Sequence, residues 1–229
     1  MRKQIRTEHT RKLPHFHRVG ATFFITTRLK NSLPFDVLEK LQSKRDQAIQ
    51  EVKKKQLANV EKEIYLIKRS YFYEYDVLLD ACKSGPTHLK NPVVASIVQK
   101  ELHKYDKQYY NLVAYTLMSN HLHVVLDFSI QVNDKQSFDI GVYTNLDEIM
   151  NKIKGSSSFK ANKVIGNTGN PFWAISYYDR YIRNHKHYLG AVNYTINNAV
   201  NAKITNHWRD HPFTWLNPDY QKMQLIYPR

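Results

Sequence analysis

Two histidines separated by one apolar residue are the residues of this chain best suited to do chemistry. They are His121 and His123, with Leu122 between them. Side chains alternate along a β-strand, so both imidazoles are expected on one face, with Leu122, Val124 and Leu126 on the other. Two neutral nitrogen donors held on a rigid strand are part of what a divalent metal needs. The plainer alternative is a pair of buried, hydrogen-bonded core histidines.

Two nitrogen ligands are too few for a structural zinc site, which takes four ligands. Cys82 is the sole cysteine, so no thiolate cluster completes such a site. A partly open site for Mg²⁺ or Mn²⁺ fits better, with the imidazoles, another protein oxygen and a substrate phosphate as ligands.

A helix predicted over residues 186–201 offers further polar groups. Its apolar stripe consists of Leu189, Val192, Ile196, Ala199 and Val200. Tyr194 and Asn198 fall on the opposite side and lie one turn apart, so their side chains share a face. A tyrosine can act as a nucleophile, and an amide oxygen can ligate a hard cation. The chain has 16 tyrosines, most of which are expected to have no catalytic role. The alternative for Tyr194 is therefore an ordinary surface tyrosine.

The remaining pattern predicts one α+β domain over residues 1–229 with a mainly antiparallel sheet. Residues 129–143 are polar and are expected to form a long loop. A charged helical insertion is expected at about 35–70; a DNA clamp and a plain structural role are both open for it. Strands are predicted over 21–29, 111–117 and 121–128, and helices over 92–105, 146–164 and 186–201.

Charge composition points towards a polyanionic partner. The chain carries 34 lysines and arginines against 20 acidic residues, a net charge of +14. Nucleic acid is the commonest cytoplasmic polyanion, although a merely basic protein is the alternative. The single cysteine fits a reducing cytoplasm. No apolar run reaches the length of about 18 residues that a membrane span requires, so no membrane association is expected.

Several blocks resemble the REP-associated tyrosine transposases, a branch of the single-tyrosine HUH transposases. The segment from His121 to His123 looks like their HUH motif. Two positions depart from the family pattern: Ser119 and Ala199 stand where proline is usual. Neither change removes a chemical group that the family's mechanism needs. The other matching blocks, in chain order, are 13–17, 20–29, 115–120, 153–157 and 178–184.

The resemblance implies a ferredoxin-like antiparallel sheet with packed helices, the HUH single-tyrosine transposase fold. It also implies metal-dependent nicking and joining of single-stranded DNA, in hairpin-containing repeats, through a 5′-phosphotyrosine. In that family pattern Tyr194 is the nucleophile, and His121, His123 and Asn198 are the metal ligands. The partner is single-stranded or hairpin DNA, the protein is a monomer or homodimer, and the metal is Mg²⁺ or Mn²⁺.

Cationic and aromatic residues in the matching blocks are candidates for DNA contacts. Cations bind the phosphate backbone, and aromatic rings stack on unpaired bases. Two other functions fit the same residues: a non-catalytic single-stranded nucleic-acid-binding protein that keeps the fold, and a hydrolytic phosphoesterase without a covalent intermediate. The DNA-contact candidates are Arg28, Lys154, Tyr178, Arg180 and Arg183.

Overall fold

The fold centres on a five-stranded antiparallel sheet. The computed structural model describes residues 6–10, 14–55, 59–82, 84–132 and 139–220. The strand order in the sheet is β6-β3-β5-β4-β7, and a separate hairpin pairs β1 with β2. The strands are β1 (Arg6–Thr10), β2 (Pro14–Arg18), β3 (Thr22–Arg28), β4 (Asn111–Leu117), β5 (His121–Asp127), β6 (Tyr178–Tyr181) and β7 (Thr214–Leu216).

Five α-helices lie within the described residues. Strands β3 to β6 and the helices α3 and α4 follow one another as β-α-β-β-α-β, which is the ferredoxin-like arrangement. The predicted α+β class and ferredoxin-like sheet are therefore confirmed. None of the described helices is long and apolar enough to cross a membrane. The helices are α1 (Phe35–Lys54), α2 (Val60–Ala81), α3 (Pro92–Lys104), α4 (Leu146–Ile165) and α5 (His185–Asn201).

The two faces of β5 meet different layers of helix, as its alternation predicted. Leu122, Val124 and Leu126 pack into one hydrophobic core, which also holds buried residues of α3 and α4. Val125, on the histidine face, packs into a second core with residues of α5 and with Phe72 of α2. The imidazoles therefore lie between the sheet and the layer formed by α2 and α5.

Capping residues and a tight turn determine where several helices and strands begin or end. The Asn91 side chain caps α3 by accepting from the Val93 amide, and Gly166 ends α4 with φ 67°, in the left-handed region. The three-residue connection from β4 to β5 closes with a hydrogen bond of 2.8 Å from the Met118 amide to the His121 carbonyl. The predicted loop at 129–143 contains two short 3₁₀ turns, and its residues 133–138 lie outside the described residues.

Helix α2 extends beyond the segment that the sequence pattern assigned to the helical insertion. It continues to Ala81, past the predicted end at about residue 70, and residues 56–58 before it lie outside the described residues. The aromatic run from residue 71 to 75 is typical of a strand. In the structure, however, Phe72, Tyr75 and Leu79 are buried at helical spacing. This extension brings two aspartates over the sheet.

Candidate metal and nucleophile site

The imidazoles of His121 and His123 converge on one point. Both side chains are fully buried, and their Nε2 atoms lie 3.1 Å apart. On the far side of each ring, His121 Nδ1 lies 2.7 Å from Asn120 Oδ1, and His123 Nδ1 lies 2.8 Å from Thr26 Oγ1. Asn120 Nδ2 donates to the Leu79 carbonyl, which turns its oxygen towards His121. The His121 Nδ1 proton therefore points at Asn120, leaving a lone pair on Nε2 for a cation.

Helix α2 supplies carboxylates to the same point. Asp76 Oδ1 lies 3.2 Å from His123 Nε2, and Asp80 Oδ1 lies 3.8 Å from His121 Nε2. The two aspartates are four positions apart, so they occupy the same side of the helix. The ligand atoms of Asp76, His121 and His123 all lie within 4.8 Å of one another. These residues form a buried group that can hold a metal ion.

The electrostatics of the group suit a divalent cation. Burial, reinforced by the charge of His123, lowers the pKa of His121 to about 3, so its imidazole is neutral at pH 7. Burial opposes ionisation of Asp76, but its interactions with His123, His121 and Tyr194 together outweigh burial and hold the Asp76 pKa below its usual value. Burial and the charge of Asp76 raise the pKa of Asp80 to about 6. At neutral pH both carboxylates are ionised, and neighbouring negative charges favour a cation between them and the imidazoles.

Helix α5 brings Tyr194 and Asn198 to this group. The Tyr194 hydroxyl donates a short hydrogen bond to Asp76 Oδ2, and its ring lies 5.6 Å from the His123 ring. Asn198 Nδ2 lies 3.5 Å from the same Asp76 oxygen, and its buried Oδ1 has no hydrogen-bond partner among the described residues. Tyr194 is therefore half-buried against α2, with its hydroxyl engaged by Asp76, and differs from an ordinary surface tyrosine.

The environment of Tyr194 keeps its phenol protonated. Burial, the charge of Asp76 and the hydrogen bond to it raise the pKa of Tyr194 well above its usual value. Phe24 and Phe72 pack edge-on against the ring, each at 5.8 Å between centroids. Tyr194 is thus held in position by aromatic packing, with its hydroxyl aimed at a residue that also contacts His123.

The comparison with solved structures shows the fold. No protein-family model and no curated protein sequence matches this chain. A solved REP-associated tyrosine transposase, bound to a REP hairpin, is similar over 96% of this chain and 89% of that one. The TM-score is 0.53 and the sequence identity is 14%. The two proteins share their overall fold. At this identity the likeness concerns the arrangement of elements, and the chemistry has to be argued from the residues.

Sequence reasoning did not find Asp76. Its carboxylate reaches the histidines only because α2 folds back over β5, and no local pattern encodes that contact. One signal was available: Asp76 and Asp80 are four residues apart and interrupt a stripe that contains Phe72 and Leu79. A pair of acids beside the buried stripe of an amphipathic helix indicates a polar partner across the interface.

The five candidate DNA contacts fall into two groups. Arg180 and Arg183 lie beside the start of α5, with their guanidinium groups over the rings of Phe24 and Tyr65. The other three make contacts inside the fold. Arg28 donates to the Leu29 carbonyl and to Ser32, Tyr178 stacks on Phe72 at 4.4 Å, and Lys154 donates to two backbone carbonyls.

Lys154→Met is expected to lower the free energy of unfolding by about 2 kcal/mol, because each lost hydrogen bond involves a charged donor. In the native protein Lys154 Nζ donates to the Ala174 and Ile175 carbonyls at 2.7 and 2.8 Å. Urea unfolding followed by circular dichroism measures the change. Lys152→Met, an exposed lysine on the same helix, is the matched control and is expected to change stability by less than about 0.5 kcal/mol. Equal effects would contradict this anchoring role.

Asp80→Asn is expected to stabilise the metal-free protein at alkaline pH. The folded pKa of Asp80, about 6, lies above its ordinary 3.8. Between these values the folded protein binds more protons than the unfolded chain, so stability falls as pH rises. Asparagine carries no charge and avoids that loss, so the free energy of unfolding of the variant is expected to be higher by on the order of 1 kcal/mol at about pH 8. The gain is this small because Asp80 is partly exposed and solvent screens its charge. Urea unfolding in a chelator measures the gain, which should vanish below about pH 4. A gain of equal size at both pH values would contradict the electrostatic cause.

Proposed function

We propose that this chain is a metal-dependent enzyme that nicks and joins single-stranded DNA, a transposase of the REP-associated tyrosine branch. The observation that carries the proposal is the convergence of a phenol with a metal-ligand group. The Tyr194 hydroxyl donates to one oxygen of Asp76, and the other oxygen lies 3.2 Å from His123 Nε2. A nucleophile beside a cation site is what phosphoryl transfer to a protein side chain requires.

His121, His123 and Asp76 would hold the metal, with the unpartnered amide oxygen of Asn198 as a further ligand. Carboxylate and amide oxygens with few nitrogens suit Mg²⁺ or Mn²⁺. When bound, the cation supplies Lewis acidity at a non-bridging oxygen of the scissile phosphate and offsets the charge that develops there.

Tyr194 acts as the nucleophile in the proposed reaction. Its oxygen forms a bond to phosphorus while the bond from phosphorus to the 3′ oxygen breaks, which leaves a 5′-phosphotyrosine and a free 3′-hydroxyl. The phenol proton passes to Asp76 Oδ2 during attack and from there, through solvent, to the departing 3′ oxygen, so the exchange of one phosphoester for another leaves the number of protons unchanged. Ionising a phenol of ordinary pKa about 10 already costs roughly 4 kcal/mol at pH 7. The raised pKa of Tyr194 increases that cost, so proton transfer during attack avoids a free phenolate.

Joining reverses these steps with a different strand. A 3′-hydroxyl attacks the phosphotyrosine, restores the phosphodiester and returns the proton to Tyr194. The covalent intermediate stores the energy of the broken bond, so ATP is not required. The proposed substrate is a single strand in hairpin-containing repeats, by analogy with the REP hairpin in the similar transposase. The proposed setting is the cytoplasm, with the enzyme acting as a monomer or homodimer.

Incubation with single-stranded hairpin DNA in Mg²⁺ or Mn²⁺, followed by a denaturing gel, tests the proposal. A band of protein covalently joined to DNA is the expected product. DNA binding without cleavage would support a non-catalytic nucleic-acid-binding protein instead. Cleavage that leaves a free 5′-phosphate and no adduct would support a hydrolytic phosphoesterase.

A further inference from the structure

Four basic side chains from three segments gather beside the start of α5. We call them the cationic cluster: Arg69 of α2, Arg180 of β6, and Arg183 and Lys186, which flank the beginning of α5. Burial and the charges of all four side chains lower the pKa of His187, so all four charges lie near this residue. The ion pairs formed within the described parts of the chain involve none of the four. Like charges held together without acidic partners favour an anionic ligand.

Aromatic rings connect the cationic cluster to the nucleophile. The Arg183 guanidinium lies 5.3 Å from the centre of the Tyr65 ring, which stacks on His187 at 6.1 Å. Arg69 lies 5.5 Å from the Tyr73 ring, and that ring lies 6.3 Å from the ring of Tyr194. Tyr73 is 42% exposed, so one side of its ring can accept a stacking partner.

The spacing along α5 suits an extended polymer. His187 and Tyr194 are seven residues apart, two turns along one face, which separates them by about 10 Å. A strand whose phosphate lies at Tyr194 therefore reaches the cationic cluster within a few nucleotides. A duplex would keep its bases paired and inaccessible to Tyr65 and Tyr73, whereas a single strand offers both phosphates and unstacked bases.

We infer that α2 and the start of α5 form one wall of a single-strand binding track, in which Arg69 and Arg183 bind phosphates and Tyr73 stacks on a base next to the scissile position. This inference rests on the proposed function and assigns a substrate-binding role to the helical insertion. The ligand class is a single-stranded polynucleotide, bound without sequence preference through its backbone and one base face.

Binding of fluorescein-labelled oligodeoxythymidine, followed by fluorescence anisotropy across a salt series, tests the track. The measurements use Tyr194→Phe protein in a chelator, so that neither cleavage nor metal is involved. Arg69→Ala/Arg183→Ala is expected to weaken binding by roughly tenfold and to reduce the slope of log affinity against log salt by about 1.4, since each phosphate contact on a single strand contributes about 0.7. Tyr73→Ala is expected to weaken binding by roughly tenfold with no change in slope, because stacking releases no counterions.

Lys104→Ala/Lys163→Ala is the matched control. Both lysines lie over aromatic rings, at 5.0 and 4.2 Å, but on the α3 and α4 layer across the sheet. The control should keep the wild-type salt slope. Identical slopes in the two double variants would overturn the track, and so would equal competition by polyglutamate. These outcomes are independent of the proposed reaction, because a protein that binds through the track without forming an adduct refutes only the catalysis.

Discussion

Tyr194→Phe is expected to eliminate the covalent protein–DNA adduct and to slow strand cleavage by roughly a thousandfold or more, as loss of a nucleophile does. The ring keeps its packing against Phe24 and Phe72, so only the hydroxyl and its hydrogen bond to Asp76 disappear. Because the acceptor is an ionised carboxylate, that loss costs about 2 kcal/mol of stability, which leaves the protein folded. A denaturing gel after incubation with hairpin DNA and Mn²⁺ measures the effect.

Tyr105→Phe is the control for this experiment. Tyr105 lies on the α3 side of the sheet, away from Asp76, and its ring packs against Tyr109 at 5.9 Å. The control should form the adduct at the wild-type level. An adduct that persists in Tyr194→Phe would show that another tyrosine is the nucleophile.

Asp76→Asn is expected to weaken Mn²⁺ binding by roughly a hundredfold or more. Loss of groups that merely support a metal ligand typically costs 10- to 100-fold in affinity, and Asp76 would be a ligand itself. Asparagine has nearly the same shape and still offers an oxygen to the Tyr194 hydroxyl. The change therefore removes charge from the site while keeping its packing. Isothermal titration with Mn²⁺, in the absence of DNA, measures the affinity.

Two further variants assign the ligand set in the same titration. Asp80→Asn is expected to weaken Mn²⁺ binding less than Asp76→Asn does. The Asp80 carboxylate lies farther from the nearest imidazole nitrogen than the Asp76 carboxylate does, at 3.8 Å against 3.2 Å. Asn198→Ala reports whether the unpartnered amide oxygen contributes. Unchanged affinity in Asp76→Asn would exclude the carboxylate as a ligand and return the site to the histidines and Asn198 alone.

The sheet and the orientation of the histidines could be predicted from local sequence. Strict alternation over residues 121–126 specifies which face each side chain takes, because a strand has a period of two residues. The one-turn spacing of Tyr194 and Asn198 likewise depends only on helical geometry. Such features follow from the chain within a few residues, so they are visible without knowledge of the fold.

The contacts between distant segments could not be predicted in this way. Asp76 meets His123 across 47 positions of chain, through packing of α2 on the sheet that no periodicity specifies. The Lys154 amine offers a similar case, because no local pattern predicts that it donates to the carbonyls at positions 174 and 175. Its contact with DNA stays a prediction. A charge in a sequence indicates that a partner is needed without indicating which one.

Mass-spectrometric mapping of the trapped adduct is the most direct test of the central claim. The wild-type protein is incubated with hairpin DNA in Mn²⁺, denatured, digested with nuclease and protease, and searched for a peptide that carries a nucleotide. We predict a nucleotide joined through its 5′-phosphate to Tyr194, present with Mn²⁺ and absent with a chelator. A modified peptide that contains any other of the 16 tyrosines, or DNA cleavage that yields no modified peptide, would contradict it.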